Sequence, residues 1–267
     1  MSTNTTIHPS AIIEEGAVLG ENITIGPFCY VSSESTLGDG CTLLQGVRIE
    51  GKTTLGKNNK VSSYTVLGAI PQSMGYKESD ATSLIIGDDN EIKEYVLISM
   101  GSMAENGVTT IGNANYVMAY VHIGHDCVIG DNNIMANATN LGGHVRVGNR
   151  NVFGAMTAVH QFVHLGSYCM FGGASAITQD IPPFMLAEGN RANVRGLNLI
   201  GIKRNLGRDA VKEIKASYKA LFRSGQPIKE CATALLNETT IDENSKQLCE
   251  FILASKRGIP FEHIADK

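Results

Sequence analysis

An apolar residue recurs at every sixth position over two long stretches of the chain. The first stretch runs from Ile7 to Leu67 without a polar interruption, and the second runs from Ile111 to Ile177. A shorter block keeps the same period in another phase and comprises Ile86, Ile92 and Ile98. A period of six matches neither the 3.6 residues per turn of a helix nor the simple alternation of a strand. It therefore predicts repeated units of one short strand and one turn.

Three such units would close a triangular coil of 18 residues, whose strands stack on those of the next coil. Parallel strands in neighbouring coils would lie about 4.8 Å apart, with the repeated apolar residue pointing inward. A glycine often follows that residue, as Gly26 and Gly124 do, and suits a tight corner. The sequence therefore predicts a mainly β protein built as a parallel β-helix.

The period slips at two places, near residues 73–85 and 102–110, which we expect to be loops that project from the β-helix. Binding residues tend to lie on loops that leave a rigid scaffold. The period stops after Pro182 and Pro183. We therefore predict a β-helix domain over residues 1–189.

The remaining residues, 190–267, have helical patterns and are expected to form a C-terminal helical domain. An amphipathic helix is predicted from Asp209 to Phe222, with Gly225 just beyond its end. A later helix is predicted to be capped by Asp242.

Charge is distributed unevenly over the 267 residues, whose formal net charge is −4. Residues 1–189 carry 8 Lys and Arg against 17 Asp and Glu, whereas residues 190–267 carry 14 against 9. The basic C-terminal part predicts either an anionic partner or a solvated helix surface. We expect no nucleic-acid partner.

The opening residues lack the basic and apolar regions of a signal peptide, and no apolar run reaches the roughly 18 residues that span a bilayer. Six scattered cysteines form no CxxC pair, which favours reduced thiols over disulfides or a zinc knuckle. The sequence therefore predicts a cytoplasmic protein without stable membrane insertion.

Five of the seven histidines are clustered and comprise His122, His125, His144, His160 and His164. Because residues one coil apart stack, His125, Gly143 and Gln161 should form one column. Asp126, His144 and Phe162 should form the neighbouring column, which brings these polar groups to one corner.

A histidine beside a carboxylate and an accessible glycine N–H is suited to acyl transfer, which needs a base and an oxyanion donor. The same cluster of histidines could instead bind zinc. It could also consist of hydrogen-bonded surface histidines without catalytic function. No nucleotide-binding glycine loop or serine nucleophile motif is found elsewhere in the chain.

Several motifs along the chain resemble the UDP-N-acetylglucosamine O-acyltransferases that begin lipid A synthesis in Gram-negative bacteria. They are IHPSAIIEEGAVLG, AYVHIGHDCVIGDNNIMANAT, GAMTAVHQF, QDIPPFMLAEGNRA and GLNLIGIKR. The resemblance implies a left-handed β-helix with C-terminal helices and a homotrimer with active sites between subunits. It also implies acyl carrier protein as the acyl donor, a UDP-amino sugar as the acceptor, and no cofactor or metal.

The resemblance assigns a role to individual residues of this chain. His125 is similar to the family's general base for the sugar 3-hydroxyl, Asp126 to the residue that orients it, and the Gly143 N–H to the oxyanion donor. Other positions resemble substrate-binding residues and are Gln72, Lys77, His122, His144, His160, Gln161, Gly173, Asn198 and Arg204. Among these, Asn198 and Arg204 match nucleotide-binding positions, and Gly173 matches the position that measures acyl-chain length.

The chain departs from the family pattern at several positions, among them Ser73, Gly75, Ser99, Ile200 and Asn205. The family commonly has Asp, Lys, His, Glu and Arg there, and Lys77 is close enough to replace the missing lysine. These departures leave open whether the acceptor carries a 3-hydroxyl or a 3-amino group.

Three other interpretations remain open at this stage. A related enzyme that N-acylates the next lipid A intermediate carries an additional N-terminal domain, for which there is no room before Ile7. A trimeric zinc hydratase of the γ-carbonic anhydrase type would use the clustered histidines as metal ligands. A non-catalytic homologue would keep the fold without the activity.

Overall fold

The repeated strands wind into a left-handed parallel β-helix with a triangular cross-section. The computed structural model describes residues 4–261. Strand partners in neighbouring coils are 18 residues apart where no loop intervenes, as Thr6 and Thr24 are in the first coils and Ile123 and Leu141 in later ones. The last coil is shorter, because Met170 pairs with Leu186. The period of six is therefore confirmed as the period of the strands.

The strands form three sheets, which we call A, B and C. Sheet A consists of β1 (Thr6–Ile7), β4 (Thr24–Ile25), β7 (Thr42–Leu43), β10 (Lys60–Val61), β13 (Glu91–Ile92), β16 (Tyr116–Val117), β19 (Ile134–Met135), β22 (Val152–Phe153), β25 (Met170–Phe171), β27 (Met185–Glu188) and β28 (Asn193–Leu197). Sheet B consists of β2 (Ile12–Ile13), β5 (Tyr30–Val31), β8 (Arg48–Ile49), β11 (Val66–Ala69), β14 (Leu97–Ser99), β17 (His122–Ile123), β20 (Asn140–Leu141), β23 (Ala158–Val159) and β26 (Ala176–Ile177). Sheet C consists of β3 (Val18–Leu19), β6 (Thr36–Leu37), β9 (Lys52–Leu55), β12 (Ser83–Ile86), β15 (Val108–Ile111), β18 (Val128–Ile129), β21 (Arg146–Val147) and β24 (His164–Leu165).

The core of the β-helix is a stack of the inward-pointing apolar side chains, such as the fully buried Ile123 and Leu141. Each of them stabilises the fold by about 1.5–3 kcal/mol through its removal from water. Buried asparagines stack along one corner of the same core. The Asn115 side-chain amide donates to Asn90 Oδ1 over 3.0 Å, and that of Asn133 donates to Asn115 Oδ1 over 3.1 Å. These side chains satisfy one another where the chain turns.

The turns between sheets define three long edges of the prism. The AB edge contains the turns from sheet A to sheet B, the BC edge those from B to C, and the CA edge those from C to A. Both loops leave at the BC edge, between β11 and β12 and between β14 and β15. The loops end earlier than the sequence predicts, because β12 begins at Ser83 and β15 at Val108. The last residues of each predicted loop pair within sheet C instead.

Three helices follow the β-helix, α1 (Leu199–Phe222), α2 (Ile228–Leu236) and α3 (Glu243–Ala254). The predicted helix from Asp209 is the second part of α1, which is interrupted at Gly207 by a backbone φ of 91°. Asp242 caps α3 as predicted, since its side chain accepts from the Ser245 N–H over 3.0 Å. The first part of α1 and the whole of α2 were not predicted.

An antiparallel hairpin, β27 and β28, joins the β-helix to the helices and extends sheet A. Because the hairpin runs across residues 189 and 190, the division into two domains at that point stays a prediction. No helix within residues 4–261 is long and apolar enough to cross a membrane. All six cysteines have free thiols.

Candidate active site

A histidine and a carboxylate pair directly at the BC edge. His125 Nδ1 lies 2.7 Å from Asp126 Oδ2, and the Asp126 side chain is completely buried. Asp126 occupies the left-handed turn position with a φ of 59°, which aspartate tolerates better than most residues. With the carboxylate ionised, Nδ1 must donate, so the lone pair of His125 is on Nε2.

The second loop holds the Asp126 carboxylate in place. The Ser102 N–H donates to Asp126 Oδ1 over 2.8 Å, and the Ser102 hydroxyl donates to Oδ2 over 2.6 Å. The Asp126 N–H donates to Thr109 Oγ1 over 2.8 Å. The two bonds from Ser102 solvate a buried charge and fix its orientation toward the imidazole.

Gly143 lies one coil above His125, and a larger residue there would displace the His125 ring. A Cβ at this position would come within 2.7 Å of His125 Cε1 and 2.8 Å of Nε2. The Gly143 N–H has no hydrogen-bond acceptor among residues 4–261. The predicted oxyanion donor is therefore beside the predicted base and available to a ligand.

His144 packs beside the pair in the arrangement that the column predicts. Its ring stacks on Phe162 with centroids 4.3 Å apart and meets His125 edge-on at 5.0 Å. His144 Nε2 is 3.7 Å from Asp126 Oδ2, and Nδ1 is 3.3 Å from Glu105 Oε2. The second loop thus contacts His144 through Glu105 and Asp126 through Ser102.

His122 lies on β17, where burial lowers the pKa of its imidazole and favours the neutral form. Its Nδ1 is buried and has no hydrogen-bond partner within the described residues, and the same is true of Ser99 Oγ. Buried polar atoms are rarely left unpaired in proteins.

His160 and Gln161 continue the same edge toward the C-terminal end of the β-helix, and both are exposed. Lys77, in the first loop, lines a cavity of about 320 Å³ together with Ser102 of the second loop. Gln72 is an exposed residue of the first loop.

Three predicted site residues lie at other edges. Gly173 lies at the AB edge, where a Cβ would be 3.3 Å from the carbonyl oxygen of Ala155. Asn198 caps α1 and donates to the Tyr168 carbonyl at the CA edge over 2.9 Å. Arg204 is exposed on the first part of α1. One chain therefore gathers most of the predicted residues at the BC edge but leaves these three apart.

Two residues that contact the cluster were not among the predicted site residues, Ser102 and Glu105. Both lie in the second loop, where the interrupted period removes the 18-residue relation that located the histidines. Their side chains match the charges around them, because Ser102 donates to a carboxylate and Glu105 also pairs with Arg146.

His125, Asp126 and His144 offer ligand atoms that lie within 4.8 Å of one another. However, both oxygens of Asp126 already accept hydrogen bonds from Ser102, and Oδ2 also contacts His125. The donor set is therefore arranged to orient an imidazole more than to surround a cation.

Comparisons with known proteins identify the family of the chain. A family model described as UDP-N-acetylglucosamine O-acyltransferase, domain 2, matches residues 180–260, and a bacterial hexapeptide transferase model matches residues 108–143. The acyl-[acyl-carrier-protein]--UDP-N-acetylglucosamine O-acyltransferase of a Sulfurovum species is 49% identical over 96% of this chain and 98% of its own length. That of Campylobacter concisus is 46% identical over 95% of this chain and 97% of its own length. The chain belongs to the UDP-N-acetylglucosamine O-acyltransferase family.

Solved structures of the family support the same assignment. The UDP-N-acetylglucosamine acyltransferase from Campylobacter jejuni covers 96% of this chain and all of its own length, with 46% identity and a TM-score of 0.92. The Arabidopsis enzyme has 34% identity and a TM-score of 0.83 over 95% of this chain and 99% of its own. The acyltransferase fold therefore includes the C-terminal helices as well as the β-helix, and the comparisons do not favour a zinc hydratase.

Proposed function

We propose that this acyltransferase moves an acyl group, such as a 3-hydroxyacyl group, from acyl carrier protein to the 3-position of UDP-N-acetylglucosamine or its 3-amino analogue. This reaction is the first step of lipid A biosynthesis. The observation that carries the proposal is the 2.7 Å contact between His125 Nδ1 and the buried Asp126 carboxylate, beside the open Gly143 N–H. Family membership supplies the identity of the substrates.

In the proposed reaction, His125 Nε2 removes the proton from the sugar 3-hydroxyl as its oxygen attacks the thioester carbonyl carbon. The new C–O bond forms, and the carbonyl oxygen becomes an oxyanion that accepts from the Gly143 N–H. The C–S bond then breaks, and the imidazolium returns its proton to the leaving thiolate. Asp126 stabilises the imidazolium between these two steps.

We propose a homotrimer because a complete site requires residues that one chain places at different edges. The AB edge of a second subunit could bring Gly173 toward the BC edge of the first, and α1 could bring Asn198 and Arg204. An exposed apolar surface along the AB edge supports this arrangement, and it comprises Phe28, Tyr64, Tyr95, Tyr120 and Met156. Sedimentation that detected only monomers would refute the trimer.

Acyl carrier protein is the proposed donor, and its acidic surface would be attracted by exposed cations on α1. These residues are Lys203, Arg204, Arg208 and Lys212. Such charges increase association rates more than they increase intrinsic affinity. Reversal of two of them should therefore raise the KM for the donor at low salt.

The direct test is an assay of purified protein with acyl carrier protein thioesters of several chain lengths and both the hydroxyl and the amino form of the UDP-sugar. We expect acyl transfer to at least one sugar. The preferred sugar would show how the replacements at Ser73, Gly75 and Ser99 affect the choice of acceptor. Absence of transfer to either sugar with every thioester would favour a non-catalytic homologue.

A further inference from the structure

Arg257 follows α3 and is fixed against the last coil of the β-helix at the BC edge. Its N–H lies 3.3 Å from Asp180 Oδ2, and its carbonyl accepts from Gln179 Nε2 over 3.2 Å. Its Nε donates to the Thr178 carbonyl over 3.2 Å. Ser255 also donates to the buried Asp180 over 2.7 Å. The backbone and the side chain of Arg257 are thus both held by the β-helix.

No neighbour within residues 4–261 neutralises the charge of this fixed guanidinium. Arg48 and Arg146 each pair with a glutamate, whereas no carboxylate of residues 4–261 forms an ion pair with Arg257. Its Nη1 has no hydrogen-bond acceptor in that part of the chain. The Asp180 carboxylate is occupied by main-chain donors and by Ser255. Arg257 therefore presents a positioned cation with an open donor edge.

The open edge lies beside His160, an exposed residue at the same edge of the β-helix as His125. Arg257 Nη2 is 3.4 Å from His160 Nδ1, which is also 3.1 Å from the Gln161 carbonyl oxygen. One nitrogen cannot accept from the guanidinium and donate to the carbonyl at once. Donation from Arg257 leaves the proton on His160 Nε2, so that both side chains present donors to a ligand.

We propose that Arg257 and His160 form a binding subsite for a phosphate ester at the C-terminal end of the BC edge. An arginine with an open donor edge suits the paired oxygens of a phosphate, and the imidazole Nε2–H adds a further donor. The inference rests on the proposed function, because both proposed substrates carry such a group. The prosthetic arm of acyl carrier protein has a phosphodiester, and the acceptor has a diphosphate.

The kinetic test compares Arg257→Gln with Lys256→Gln, which removes an exposed neighbouring cation. We expect Arg257→Gln to raise one KM roughly tenfold to a hundredfold, as the loss of a charged hydrogen bond would, with kcat little changed. If the subsite binds the acyl donor, Arg257→Gln should raise the KM for acyl-phosphopantetheine but not the KM for acyl-pantetheine, which lacks the phosphate. If the subsite binds the acceptor, Arg257→Gln should raise the KM for the UDP-sugar instead. Lys256→Gln should change neither.

A binding test separates this inference from the proposed function. Calorimetric titration of phosphopantetheine and of UDP into the wild type and both variants requires no turnover. Weaker binding of either ligand to Arg257→Gln alone supports the subsite even if no acyl transfer is found. If Arg257→Gln lowers the unfolding temperature markedly, His160→Gln replaces it, since His160 is exposed and has no such anchoring role. Binding and kinetics equal to those of Lys256→Gln would overturn the proposal.

Discussion

The BC and AB edges of this β-helix have the same repeat but different surfaces. At both edges the chain turns through a left-handed residue in most coils, so the backbone is nearly the same. At the BC edge those positions hold Asp126, His144 and Phe162, under two loops. At the AB edge they hold Tyr64, Tyr95 and Tyr120, whose rings stack 5.5 and 5.2 Å apart.

The inward positions of the six-residue repeat therefore determine the scaffold, whereas the turn positions determine the chemistry of each edge. Polar turn residues become a site only where loops exclude water and supply donors, as Ser102 does for Asp126. Aromatic turn residues without a loop leave an apolar surface, which suits contact with another subunit.

The largest expected effect follows removal of the base at the BC edge. His125→Ala should lower kcat by roughly 10²–10⁴, because general base catalysis acts on the transition state, and it should leave substrate affinity nearly unchanged. Steady-state kinetics and ligand titration measure the two quantities. His164→Ala, which removes an exposed histidine of sheet C, is the control. A variant that keeps more than about a tenth of wild-type kcat would make His144 or His160 the next candidate.

A second prediction concerns the AB edge, where Gly173 would leave room for the acyl chain of a neighbouring subunit's substrate. Gly173→Met should shift the preference to shorter acyl groups, with a penalty of about 1–3 kcal/mol for the longest chain. Gly173→Ala should produce a smaller shift in the same direction, since its Cβ is only slightly crowded by Ala155. Chain-length profiles with matched thioesters measure both. Identical profiles for all three proteins would place the chain-length determinant elsewhere.

The contribution of the second loop can be measured at Ser102. Ser102→Ala removes one donor from the buried Asp126 carboxylate. It should lower kcat about tenfold, which corresponds to the free energy of one hydrogen bond to a charged group. The KM values should change little, because Ser102 acts through Asp126 and His125. Ser102→Thr keeps the hydroxyl and should restore most of the activity. Equal losses in both variants would indicate a packing defect in the loop instead.

The smallest expected effect follows replacement of His122 and is a change in how the stability of the protein depends on pH. Burial lowers the pKa of this residue in the folded chain, so on acidification below about 6.5 the unfolded state takes up a proton that the folded state does not. Wild-type stability should therefore fall as the pH drops through that range, and His122→Asn should fall less. Unfolding temperatures at several pH values measure the slopes.

Much of the fold could be predicted because an apolar residue recurs at every sixth position from Ile7 to Leu67, and again from Ile111, without a polar interruption. The same 18-residue step placed His125 below Gly143 and Asp126 below His144, and the structure stacks them in that way. The hand of the β-helix could not be derived from the repeat. The usual preference for right-handed crossovers indicates the opposite hand, so only the family resemblance gave the correct one.

Contacts made by irregular segments could not be predicted from the sequence. Ser102 and Glu105 meet the histidines because the second loop folds back, and no period describes that path. The start of α1 was missed because Gly201 and Gly207 weaken the helical pattern. The short helix α2 was missed as well, since nine residues give few turns in which a period can be recognised.

The bond between Ser255 and the buried Asp180 has a consequence for synthesis of the protein. Ser255 leaves the ribosome 75 residues after Asp180. Until it does, the Asp180 carboxylate accepts from the His164 N–H but lacks both Ser255 and the Arg257 N–H, and a buried charge with too few donors is costly. The lower coils of a nascent chain can therefore stack as they emerge, whereas the top coil stays solvated. The order of translation thus delays closure of the top coil until the segment after α3 has been made.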